Sequence, residues 1–141
     1  LSTDMITGFC TETEEDHLAS LSLMEYCQYD IAYMYFYSER PGTLAARRFV
    51  DDVPELVKRK RLQEMIDLYR GHSLASMQKE VGKTFKILIE GVSKKNENEL
   101  HGRTDQNKVV VFSKGDFKKG EYVFIKIHAC TAGTLLGQIA N

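Results

Sequence analysis

The chain has 141 residues, 43 % of them hydrophobic, and a formal net charge of −1. That is ordinary globular material, with enough apolar residues for one or two small cores. It has no run of about eighteen apolar residues and no signal-peptide pattern, so a cytoplasmic protein is expected, with no membrane partner. Three widely spaced cysteines, Cys10, Cys27 and Cys130, show no CxxC or CxxxCxxC spacing, which predicts buried thiols and no metal site. The net charge conceals a split. Residues 1–73 carry 8 Lys+Arg against 13 Asp+Glu, and residues 74–141 carry 11 against 7. Such asymmetry suggests two modules, the basic one leaning towards nucleic acid.

Ser2 to Phe9 reads as a buried strand through Met5, Ile6 and Phe9. It runs through Gly8 into Thr11-Glu12-Thr13-Glu14-Glu15-Asp16, the start of a helix. A capping box is offered by Thr11 with Glu14 or by Thr13 with Asp16. The predicted apolar stripe is Leu18, Leu21, Met24 and Cys27. A second buried strand follows at Ile31–Tyr37. Strand, helix and strand in about 35 residues make one right-handed βαβ unit of a larger parallel sheet. Two strands are too few for such a sheet, so the expectation is the C-terminal piece of a longer enzyme. An exposed parallel edge can pair with another copy, giving a non-native dimer.

After Tyr37, Pro41-Gly42 marks a tight turn. A long helix is predicted from Asp51-Asp52-Val53-Pro54 to about Lys79, with Asp at its N-cap and Gly71 as a bend or interruption. Its apolar stripe is Leu62, Met65, Ile66, Tyr69, Leu74 and Met77. The cluster Lys58-Arg59-Lys60-Arg61 is read as a solvated face, with RNA contact as the alternative.

From Gly82 the apolar period changes to two, with Phe85, Ile87 and Ile89 on one face. Further strands are predicted at 100–104, 108–112, 122–128 and 134–140. Five short strands with turn signals fit a small closed barrel of the OB type. In the fourth, Val123, Ile125 and Ile127 point inward, and Tyr122, Phe124, Lys126 and His128 outward. Outward aromatics interleaved with a lysine suit a stacking platform for single-stranded RNA; burial of Tyr122 and Phe124 against the long helix is the alternative. Lys94, Lys95, Arg103, Lys108, Lys114, Lys118 and Lys119 add positive charge around the loops.

These segments resemble one family. Ser2-Thr3-Asp4-Met5-Ile6-Thr7-Gly8-Phe9 with Glu12-Thr13-Glu14-Glu15-Asp16 is similar to the penultimate βα unit of radical SAM methylthiotransferases, although Cys10-Thr11 stands where many members have Pro-Gly. Tyr37-Ser38-Glu39-Arg40-Pro41-Gly42-Thr43 resembles that family's YSxRPGT turn. Asp51–Glu55 with Arg61–Glu64 resembles the helix leading to a C-terminal TRAM domain. Glu90–Lys95 and Leu100–Phe112 look like the MiaB branch, which acts on isopentenyladenosine beside the anticodon of tRNA.

The resemblance implies α/β plus all-β: residues 1–50 as the end of a radical SAM partial barrel, 51–80 as a linking helix, and 81–141 as a five-stranded OB-like TRAM barrel. It implies a tRNA partner, with S-adenosylmethionine and two 4Fe-4S clusters as cofactors of the full-length enzyme. None of these cofactors, no catalytic residue and no metal ligand is expected in this segment. Asp4, Ile6 and Gly8 match the family strand near the S-adenosylmethionine adenine; Gly8 either allows close ligand approach or serves only the turn. Arg40 either faces RNA or pairs with a carboxylate such as Glu39. The RNA-binding candidates are thus Arg40, Lys94, Lys95, Arg103, Lys108, Tyr122, Phe124 and Lys126. The alternatives are a non-catalytic RNA-binding module, or a methylthiotransferase acting on another tRNA base or a ribosomal protein.

Overall fold

In the computed structural model, which describes residues 1–140, the chain divides into two units, Leu1–Ser73 and the segment from Leu74 onward. The first begins with β1 (Ser2–Thr7), α1 (Glu14–Cys27) and β2 (Ile31–Phe36), continues through the short helix α2 (Leu44–Arg48), and contains most of the long helix α3 (Glu55–Gln78). β1 and β2 pair in parallel, Ser2 opposite Ile31 through Thr7 opposite Phe36. The βαβ unit is as expected.

Its strands, however, are buried on one face only. Thr7 and Ala32 are buried, but Ile6, Tyr33 and Tyr35 are 60 %, 57 % and 55 % exposed. With two strands and helices on one side, each residue pair alternates between a packed face and a bare one.

Helix α1 starts at the second of the two candidate caps. The Thr13 hydroxyl accepts the Asp16 N–H, and the Asp16 carboxylate accepts the Thr13 N–H. Those bonds, backbone first, hold the Asp16 carboxyl below its ordinary range. The buried stripe begins one residue earlier than the apolar pattern implies. His17 and Met24 are buried, whereas Leu18 is 56 % exposed. His17 Nε2 lies 2.7 Å from Glu64 Oε2 on α3, so a polar residue occupies the inward position because a carboxylate meets it there. That bond, set against burial and helped by Lys60, depresses the Glu64 pKa.

Helix α3 runs through Gly71 without a break. The reading of its basic cluster as a solvated face holds for Arg59 and Lys60 and fails for Lys58 and Arg61, both buried. Lys58 Nζ sits 2.6 Å from Asp51 Oδ2 and donates to the Tyr37 carbonyl. Arg61 grips Glu12 at 2.9 Å and Glu14 at 3.1 Å. Their phase, 58, 61 and 65, is the inward stripe of the helix, so the cations are inside and paired.

The second unit is a closed barrel of β3 (Thr84–Val92), β4 (Glu99–Arg103), β5 (Val109–Ser113), β6 (Tyr122–Cys130) and β7 (Leu135–Ile139), in the order β3-β4-β5-β7-β6. Four contacts are antiparallel and β5–β7 is parallel. The core is Ile87, Ile89, Leu100, Val110, Phe112, Val123, Ile125, Ile127 and Leu135, joined by Met77 from the end of α3. The period-two alternation in β3 and β6 supplies these inward residues as expected. No helix among the described residues is long and apolar enough to cross a membrane.

Candidate functional site

Two loops frame one side of the barrel. Between β3 and β4, the Ser93 N–H donates to the Glu99 carbonyl at 2.8 Å and the Asn98 N–H donates to Asn96 Oδ1 at 3.0 Å. This short closed loop carries the exposed side chains of Lys94 and Lys95. Between β6 and β7, the Thr131 N–H donates to the Thr134 carbonyl at 2.8 Å, and Thr131 Oγ1 accepts the Thr134 N–H at 3.1 Å. Both loops are held by their own hydrogen bonds, so their side chains start from defined positions.

Between the loops lies a groove of about 510 Å³. Its floor is the half-buried outer row Val109, Val111 and Leu136; its walls include Lys94, Lys95, His101 and Arg103. A β-bulge separates Ile89 and Gly91 in the β3–β4 register, leaving Glu90 as the extra residue. A bulge re-aims a side chain, and here Glu90 meets an arginine and a histidine. Arg103 Nε donates to it at 3.2 Å, and His101 Nε2 stands 3.8 Å away. The other His101 ring nitrogen is 3.1 Å from the Val92 carbonyl, and Arg103 Nη1 donates to Asn107 Oδ1 at 3.0 Å. Arg103 is therefore anchored with part of its guanidinium committed. An apolar floor under a cationic rim can take a base and its phosphate together.

A second face lies on β3 and β6. Tyr122, Phe124 and Lys126 stand opposite Leu88, Lys86 and Thr84. Tyr122 and Phe124 are 59 % and 57 % exposed, and Lys86 Nζ lies 4.6 Å over the Tyr122 ring. The two aromatics therefore point to solvent. Glu90 and Arg103 border this face as well as the groove, so the two surfaces adjoin along that pair.

Lys108 is placed differently from the other candidates. It is buried, and its Nζ donates to Glu80 Oε1 at 2.8 Å and to Ser76 Oγ at 3.1 Å. A cation already seated on a buried carboxylate has no free charge for a phosphate. Burial pushes the Glu80 carboxyl up, but hydrogen bonds from Lys108 and Lys83 outweigh it, leaving its pKa depressed.

In the first unit, Asp4 and Ile6 line an open concavity of about 540 Å³ with Tyr35, Tyr37, Arg40 and Thr43. Gly8 is not among its lining residues. It is buried at φ +71°, its N–H donates to Glu12 Oε2 at 2.8 Å, and a Cβ there would run into the Lys58 side chain. Its close neighbour is thus a lysine of this chain, which accounts for the glycine through the turn. Sequence reasoning passed over His101, Glu90, Lys86, Thr131 and Thr134. The outward phase of β3 and β4 marks the first three, whereas only the folded loop shows the two threonines at the groove.

Residues 78–140 match the family profile of the TRAM domain. That match takes in every strand of the barrel, β3 to β7. Over its whole length the chain is similar to proteins named tRNA-2-methylthio-N(6)-dimethylallyladenosine synthase. It is 58 % identical over 141 residues to that of Amoebophilus asiaticus, covering 100 % of this chain and 29 % of the relative. It is 51 % identical over 138 residues to that of Chlorobaculum tepidum, covering 98 % and 31 %. The Bacteroides thetaiotaomicron protein is 50 % identical over 138 residues, covering 98 % and 30 %. The matched part is the C-terminal end of these MiaB-type tRNA methylthiotransferases. The chain spans about 29 % of the length of the first of these curated relatives.

Proposed function

We propose that this chain forms the tRNA-gripping end of a cytoplasmic tRNA methylthiotransferase, which converts isopentenyladenosine beside the anticodon to its 2-methylthio derivative. The observation that carries the reading is the groove of the TRAM barrel. OB-type barrels bind single strands on the face of their second and third strands, between the loops joining strands one and two and strands four and five. Here those strands are β4 and β5, and those loops carry Lys94, Lys95, Thr131 and Thr134. In this reading Lys94 and Lys95 meet phosphates, Arg103 and His101 meet base or ribose edges, and Tyr122 with Phe124 offers stacking surface to an adjoining nucleotide. Lys126 adds charge beside them.

The names of the relatives support the substrate. In the proposed enzyme, S-adenosylmethionine and iron–sulfur clusters supply the radical and the sulfur. Asp4 and Ile6, on the rim of the open concavity, fit a contact with the adenine of S-adenosylmethionine. Among the described residues no group of three or more His, Cys, Asp or Glu side chains is arranged to hold a metal ion.

The test is tRNA binding by the whole chain across a salt series. Affinity is expected to fall steeply with salt because neutralised phosphates release counterions. Replacing both Lys94 and Lys95 by Ala should lower the log–log slope by about 1.4, roughly 0.7 per contact on a single strand. Salt-insensitive binding, or none from a folded chain, overturns the reading.

A further inference from the structure

The first unit is acidic overall, yet its free positive charge is concentrated in one place. Lys58 and Arg61 are buried on carboxylates, Arg59 is held by Glu55 at 2.6 Å and Lys60 lies 3.6 Å from Glu64. Among the described residues Arg40, Arg47, Arg48 and Arg70 have no ion-pair partner. Three of those four fall within residues 40–48, and no acidic residue lies between Arg40 and Val50. The next carboxylates are occupied, Asp51 by Lys58 and Asp52 by the Thr11 N–H at 2.7 Å. Glu39 alone adjoins, leaving a local surplus of positive charge in a unit that is otherwise negative.

The segment bearing these arginines is locally ordered. Thr43 Oγ1 donates to the Arg40 carbonyl at 2.8 Å, the same oxygen accepts the Ala46 N–H, and the Phe49 N–H donates to the Ala45 carbonyl at 2.9 Å. All three arginine side chains are exposed. A fixed backbone with free guanidinium forks suits bidentate binding of phosphate, because little freedom of the loop is lost on contact.

We propose that Arg40, Arg47 and Arg48 form a second phosphate-binding surface, on the first unit, for the backbone of the same RNA. This inference rests on the RNA reading of the barrel. It assigns Arg47 and Arg48 a role that nothing in their helix requires, since five-residue α2 has little dipole to satisfy. Arg40 also lines the concavity that holds Asp4 and Ile6, so a phosphate on Arg40 brings its nucleoside to the edge of that hollow.

The experiment uses the whole chain with unmodified tRNA, measuring affinity over a salt series for wild type, R47Q/R48Q and R47K/R48K, with thermal melts to establish that each is folded. The glutamine pair should bind roughly 20-fold more weakly at 0.1 M salt, with a slope lower by about 1.4, as expected for two lost phosphate contacts. The lysine pair should keep most of the slope, because charge is retained. Wild-type binding with unchanged affinity or unchanged slope in the glutamine pair overturns this inference and leaves the barrel reading standing. No binding by folded wild type overturns the barrel reading, and this inference with it.

Discussion

Lys108 shows how far a single side chain can depart from its sequence context. It lies in a basic, strand-rich stretch, where a lysine reads as solvent-facing charge. Yet its ammonium is enclosed by Glu80 and Ser76, with 9 % and 10 % of the Lys108 and Glu80 side chains exposed. Removing one member of a buried pair strands the other charge, so Lys108→Ala should destabilise the protein by about 3 kcal/mol in urea unfolding. In the folded protein the same change should leave RNA affinity at its wild-type level. Glu80 adds a pH dependence of defined sign. Its folded pKa lies below the ordinary 4.5, so its stabilisation is complete above that value and is lost as pH falls through the folded pKa. Urea midpoints measured from pH 6 down to pH 3 should fall less steeply in Glu80→Gln than in wild type. Lys58 and Arg61 make the same point about burial: four consecutive cations separate into an inner pair and an outer pair because the helix turns about 100° per residue.

At the scale of elements, the barrel closes where glycines let strands meet. A Cβ on Gly102 of β4 would collide with the Leu88 carbonyl oxygen and Ile87 Cγ2 on β3, and one on Gly137 of β7 with Ile125 Cγ2 and the Lys126 carbonyl oxygen on β6. Backbone atoms cannot step aside cheaply, so Gly102→Ala should cost about 1–3 kcal/mol. Gly71 in α3 is the contrast, since nothing lies within 4 Å of its Cβ position. There alanine should stabilise by about 0.5–1 kcal/mol through better helix propensity. Chemical denaturation of the two variants should therefore move in opposite directions. Element type was legible along the chain, from the period-two runs of β3 and β6 to the cap signals before α1. The inward phase of α1 was less so, because it depends on His17 finding Glu64 across 47 residues of sequence.

At the scale of the whole molecule, the two units differ in how completely their sheets are satisfied. The barrel pairs every strand on both sides, whereas β1 and β2 form a two-stranded sheet whose outer edges are unpaired among the described residues, with an exposed apolar face at Ile6, Tyr33 and Tyr35. Local opening costs least where few apolar contacts and hydrogen bonds must be broken. Amide hydrogen exchange should accordingly be faster in β1 and β2 than in β3, β5 and β6. Pairing of the free edge with a second copy is the dimer anticipated from the sequence. It predicts that protection in β1 rises with protein concentration.

Sequence by itself determined the seven strands, the helices α1 and α3, the two-module charge split and the closed barrel, because periodicity and turn residues are local properties of a chain; the short helix α2 was not read from it. Tertiary structure alone decided which charges are free. Whether a lysine meets water or a buried carboxylate depends on residues tens of positions away, as Lys108 and Glu80 show. The groove on β4, β5 and β7 likewise exists only once distant loops have been brought to one side of the barrel.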